Sequence, residues 1–149
     1  MTKYYDIGLN LFTRSFPDPE KIIENATKAG VTCILTGSEA RENELVHTFV
    51  RTHDAYGVCG IHPHVADDAT EDDIGRIKAI IAENDKIVAV GETGLDYDRM
   101  YAKKENQLHY FKELITVAEE LDMPMFLHQR DAADDFIDCF KGHEGLCPQ

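Results

Sequence analysis

Three stretches of this sequence combine apolar residues with groups that bind metals or move protons: "GIHPH" (60–64), "VAVGETGLDYDR" (88–99) and "MPMFLHQRDA" (123–132). Each runs from an apolar segment into histidine or carboxylate. Imidazole and carboxylate are ligands for Zn²⁺, Mg²⁺ and Mn²⁺, and a site that leaves one coordination position open can bind and acidify water. A single histidine at the end of a strand is ordinarily a hydrogen-bonded structural residue. His62, Glu92 and His128, at the ends of three successive apolar runs, instead suggest a metal-assisted hydrolase, with His64 beside them and Asp6 and Asn10 on the first apolar run.

The other histidines lack this setting. His47, His53 and His109 fall on predicted helices and His143 lies in a glycine-containing tail, so all four read as surface or packing residues. The acidic run "DDATEDD" (67–73) reads as a loop leading into a helix N-terminus, where carboxylates favour the helix dipole.

The elements that must position these residues alternate regularly. Strands are expected at 4–11, 31–37, 57–64, 86–96 and 123–129, the third including its exit loop. Helices are expected at 19–30, 39–56, 70–84, 102–122 and about 131–141, with Thr70 as an N-cap and Gly30 as a stop. Nearly continuous apolar strands separated by amphipathic helices mean parallel strands covered by helices. No G-x-G-x-x-G or G-x-x-x-x-G-K motif follows any strand, which favours part of a (β/α) barrel over a nucleotide-binding doubly wound sheet. In parallel β/α folds the chemistry collects where strands end, which is where these residues stand.

The chain of 149 residues has the length of one domain, 1–149, and 43% hydrophobic with 29% charged residues is a globular composition. It has no apolar run long enough for a membrane span and no basic-then-apolar signal at its start, so a soluble, cytoplasmic protein is expected. Cys33, Cys59, Cys139 and Cys147 form no C-x-x-C pair, which suits a reducing compartment, and Cys33 and Cys59 read as small core residues. A formal charge of −13 without a dense Lys/Arg cluster argues against tight passive binding of nucleic acid. It leaves phosphate chemistry open, because bound divalent cations supply positive charge locally.

In order and spacing, the three stretches resemble the TatD family of metal-dependent deoxyribonucleases in the amidohydrolase superfamily, and "DIGLNL" (6–11) resembles the first strand of one branch of it. The resemblance implies a TIM-barrel hydrolase that cleaves phosphodiester bonds of DNA with one or two divalent ions (Mg, Mn or Zn) at the barrel mouth. It implies that Glu92 and His128 bind metal, that Asp6 is the first-strand aspartate used at the metal site, and that His62 is a site residue from an H-P-H motif. His64 and Arg130 become candidates for substrate binding, with a structural ion pair as the alternative for Arg130.

There are departures. Gly8 and Asn10 stand where many relatives carry first-strand histidines, which weakens one metal position, and Gln129 stands where cysteine or serine is common. The family continues through three further strands with another ligand histidine and an aspartate, the implied general base. The sequence ends at "GHEGLCPQ" (142–149) before either, so a truncated α/β barrel of about five β/α units out of eight is expected. Such an open barrel would expose strand edges and invite self-association. Its catalytic competence alone is open, with a non-catalytic half-barrel acting as an interaction partner, or an amidohydrolase of small molecules, as alternatives.

Overall fold

The computed structural model describes residues 1 and 3–146; Cys147 lies outside them. The elements are β1 (Tyr4–Leu9), α1 (Pro19–Lys28), β2 (Val31–Thr36), α2 (Ala40–Val50), β3 (Ala55–Cys59), α3 (Glu71–Glu83), β4 (Ile87–Asp96), α4 (Lys104–Glu120), β5 (Met125–Arg130) and α5 (Ala133–Cys139), with 3₁₀ turns at Pro63–Val65 and Glu144–Leu146. The strands follow the order β1-β2-β3-β4-β5, every neighbouring pair parallel.

Local chemistry sets several boundaries. Asp18 caps α1 by accepting from Lys21 N at 3.1 Å, and Pro19 follows at the first helical position, where its missing N–H costs nothing. At the start of α3, Thr70 N donates to the Asp73 carboxylate at 2.8 Å. The helix expected at 39–56 ends earlier, at Val50. There the Phe49 carbonyl accepts from Thr52 N and bonds the His53 ring nitrogen at 2.9 Å, closing the turn, so that β3 begins at Ala55. His53 therefore lies in that turn and stacks on Phe49 with centroids 3.8 Å apart.

The main core lies between the sheet and its helices. Ile23 of α1, Val46 and Val50 of α2, Ile77 and Ile80 of α3 and Leu114 and Val117 of α4 pack on Leu35, Cys59, Ile87 and Val90 of the strands. A second cluster joins Leu95 to Phe111, Ile115 and Cys139, with Phe136 and Phe140 against it. Cys33, Cys59 and Cys139 are free and buried.

The sheet is curled. In a flat five-stranded sheet the outer strands would be about 19 Å apart at roughly 4.8 Å per step. Instead, the Phe126 ring on β5 comes within 3.1 Å of where a Cβ on Gly8 of β1 would sit. The strands thus form a half-barrel whose two ends face each other across its concave side. Those ends differ from the buried strands expected from sequence, since Tyr4, Tyr5, Ile7 and Leu127 are exposed.

Candidate metal centre

The loop after β3 carries His62 and His64 and is held by a buried amide. Asn43 of α2 donates from Nδ2 to Gly60 O at 2.9 Å and accepts from Gly60 N at 3.1 Å. A Cβ at Gly60 would lie 2.5 Å from the Gly91 carbonyl carbon, so only glycine lets this loop approach β4 so closely. His62 N then donates to Ser38 O at 2.8 Å, and Pro63 opens the 3₁₀ turn. A second amide holds the end of β4: Gln107 of α4 accepts from Asp96 N at 2.9 Å and donates to the carbonyls of Asp96 and Ala102 at 3.2 and 2.9 Å.

These supports bring four side chains together. Ligand atoms of His62, His64 and His128 all lie within 4.8 Å of one another. Glu92 Oε1 is 3.7 Å from His62 Nε2 and 3.4 Å from His128 Nδ1. Beneath them, Asp96 Oδ2 is 2.9 Å from Nε2 of both His64 and His128, and Asp96 is 1% exposed. A cavity of about 240 Å³ opens here, lined by Asn10, Ser38, His62, His64, Val65 and Glu92.

The hydrogen bonds assign the imidazole protons. Burial pushes the Asp96 carboxyl upward, but bonds from Arg99 N, His64 and His128 outweigh it and hold the group well below the usual carboxylate range. An ionised carboxylate only accepts, so His64 and His128 each present Nε2–H to it, which leaves Nδ1 as the atom each ring could offer to a metal. His62 is the reverse: its Nδ1 accepts from His64 N at 3.1 Å, which puts its proton on Nε2, toward Glu92. Burial, reinforced by His64 and His128, lowers the His62 pKa to about 4, so it stays neutral.

Of the residues singled out from sequence, His62, His64, Glu92 and His128 meet, and Asn10 reaches their cavity. Asp6 does not line that cavity; it is exposed, opposite Cys33 in the β1–β2 register. Arg130 pairs with Asp98 at 2.9 Å, both half-exposed. His47 is buried against Asn84, while His109 and His143 pair with Glu71 and Glu119. Sequence reasoning passed over Asp96, Asn43 and Gln107. Asp96 had a signal: a carboxylate closing an apolar strand, four residues after Glu92 and so on the same face under strand alternation. The donor set of imidazole nitrogens and a carboxylate, with ligand atoms within one coordination sphere's reach of each other, fits a divalent ion.

A family model described as "TatD related DNase" matches residues 5–146. The chain belongs to the TatD-related DNase family. Curated TatD relatives, each named "3'-5' ssDNA/RNA exonuclease TatD", include that of Erwinia tasmaniensis, 36% identical over 141 residues, covering 92% of this chain and 54% of the relative. Another is that of Cronobacter sakazakii, 37% identical over 136 residues, covering 89% of this chain and 51% of the relative. Among solved structures, the crystal structure of YjjV, a TatD homologue from Escherichia coli K12, superposes with a TM-score of 0.82 at 25% identity, over 95% of this chain and 56% of that one. The chain thus spans about half the length of the TatD relatives it matches. The TM-score confirms the parallel half-barrel as part of the TatD TIM-barrel architecture.

Proposed function

We propose that this protein is a metal-dependent phosphodiesterase of the TatD type, acting on single-stranded DNA. The observation that carries the reading is the approach of Glu92 Oε1 to His128 Nδ1 at 3.4 Å, beside two further histidines. The names of the relatives, all exonucleases of single-stranded DNA and RNA, support the substrate class.

In this reading Glu92, His128 and His64 hold one or two divalent ions, Mg, Mn or Zn. A divalent ion supplies Lewis acidity toward a phosphoryl oxygen and toward water. Asp96 keeps both ligand imidazoles in the Nε2–H form, so their Nδ1 lone pairs are available. His62 stays neutral and offers its Nε2–H as a hydrogen-bond donor to a phosphoryl oxygen bound near Glu92. Arg130 takes a substrate phosphate in place of Asp98.

Compartment and self-association belong to the same reading. Three free, buried cysteines suit the reducing cytoplasm, and among the described residues no helix is long and apolar enough to cross a membrane. Exposed Tyr4, Tyr5 and Ile7 on β1 and Leu127 on β5 favour self-association through the outer strands.

The test is cleavage of 5'-labelled single-stranded DNA by the purified chain in Mg²⁺ or Mn²⁺. Cleavage that EDTA stops and that Glu92→Ala and His128→Ala each abolish is expected. Wild-type protein that leaves the DNA intact in every metal would overturn the catalytic reading for this chain in favour of the non-catalytic half-barrel.

A further inference from the structure

Tyr101 is the feature near the site that neither the fold nor the metal centre explains. It is 63% exposed, yet its ring stands 4.9 Å from that of His64, edge to face at 80°. His64 in turn lies 4.3 Å from His62 and 5.9 Å from His128. The tyrosine is therefore one ring away from the metal-binding cluster, on its solvent side.

Its backbone is fixed although its ring is not covered. Before it, Arg99 N donates to Asp96 Oδ1 at 2.9 Å. After it, Ala102 is buried and its carbonyl accepts from Gln107, while Lys103 N and Asn106 Nδ2 both donate to Asp67 Oδ1, at 2.9 and 2.8 Å. Apart from its edge contact with His64, this large aromatic ring is held out to water on an anchored loop. Two residues before it on the same loop stands Arg99, which shares Asp98 with Arg130 at 3.8 and 2.9 Å, both arginines about half exposed. In a chain of net charge −13, an arginine and an open aromatic ring on one loop provide the two contacts that single-stranded nucleic acid takes, one for phosphate and one for a base face.

We propose that Tyr101 is the stacking platform for the nucleobase next to the scissile phosphate of single-stranded DNA. The proposal rests on the nuclease reading and adds to it the contact that recognises the base. It also explains the choice of strand state: in a duplex that base is already paired and stacked, so its face is unavailable to Tyr101 without flipping. Since every base has a π face, the platform contributes affinity with little sequence preference.

The test measures binding of a short 3'-fluorescent single-stranded DNA by anisotropy in Ca²⁺, with wild type, Tyr101→Ala and Tyr101→Phe. A matched set of oligonucleotides replaces one nucleotide at a time by an abasic site. Melting temperatures accompany each variant. The expected result is a loss of roughly 5- to 150-fold for Tyr101→Ala on the intact oligonucleotide. Tyr101→Phe keeps wild-type binding, and one abasic position removes the difference between wild type and Tyr101→Ala. An equal loss on every abasic oligonucleotide would mean that the ring acts only by packing on His64 and would overturn the proposal, as would no loss at all. Either of these leaves the nuclease reading standing. Wild-type protein that binds no single-stranded DNA overturns both.

Discussion

Asp96 and Asp6 are both aspartates on parallel strands, and the fold treats them in opposite ways. Asp96 closes β4, a strand paired on both sides, and is buried under two imidazoles with its backbone gripped by Gln107. Asp6 lies in the middle of β1, at the end of the sheet, where the residues around it are exposed. The difference lies in position. A strand between two neighbours and under a helix can hold a charge where it desolvates, provided every oxygen is answered, whereas an end strand leaves the same side chain in water.

The largest test of this contrast is to remove each carboxylate. Asp96→Ala strips two imidazole N–H groups and Arg99 N of their acceptor in a buried setting, and should cost about 3 kcal/mol of stability. It should also release the tautomers of His64 and His128. Asp6→Ala should stay within about 0.5 kcal/mol. Urea melts of both variants, with ¹⁵N spectra of the histidine rings, measure the two effects; comparable losses would erase the distinction between middle and end strands.

His62 gives a pH version of the same contrast. Its folded pKa is lowered from 6.5 to about 4, burial being the first cause. Above 6.5 it is neutral in both states. Between 6.5 and 4 the unfolded chain takes up a proton that the folded chain refuses, so stability falls as pH falls, by at most about 3 kcal/mol. Below about 4 this contribution no longer changes. Metal-free protein melted at pH 7.5, 5.5 and 4.5 should show the fall, and His62→Gln should flatten it.

A smaller effect belongs to the amides. Asn43→Ala leaves Gly60 N and O without partners, and Gln107→Ala does the same to Asp96, so each should cost about 1–3 kcal/mol. Both should also weaken metal binding about 10- to 100-fold, since they hold the loops that carry the ligands. Titration with Zn²⁺ separates this from a purely structural effect: a variant that loses stability but binds the ion unchanged would show that the amide supports the fold alone.

How much of this was legible in the sequence follows from the range of the interactions. Five β/α units are visible because period-2 and period-3.6 patterns are local. His62, Glu92 and His128 stood out because strand ends can be read from apolar runs. The end of α2 was misplaced by six residues, because what stops it is a side-chain bond from His53 to the Phe49 carbonyl, which helical periodicity does not register. Asn43 and Gln107 sit on amphipathic helices and look like surface amides until the loops they clasp are folded over them. The curl of the sheet, seen in the contact of Phe126 with Gly8 across more than a hundred residues, has no local signature at all.

The smallest expected effect lies at the open rim. Arg130 and Asp98 are 2.9 Å apart with side chains 48% and 40% exposed, so Arg130→Gln should change stability by less than about 1 kcal/mol. Its consequence for DNA is different in kind. If Arg130 exchanges Asp98 for a substrate phosphate, the variant should bind single-stranded DNA more weakly on every sequence. The slope of log K against log[salt] should then fall by about one unit's worth of phosphate contact, roughly 0.7. Asp98→Asn, which frees the arginine, should move affinity the other way. Unchanged slopes in both variants would return Arg130 to the role of a surface ion pair and leave Arg99 as the rim's cation for phosphate.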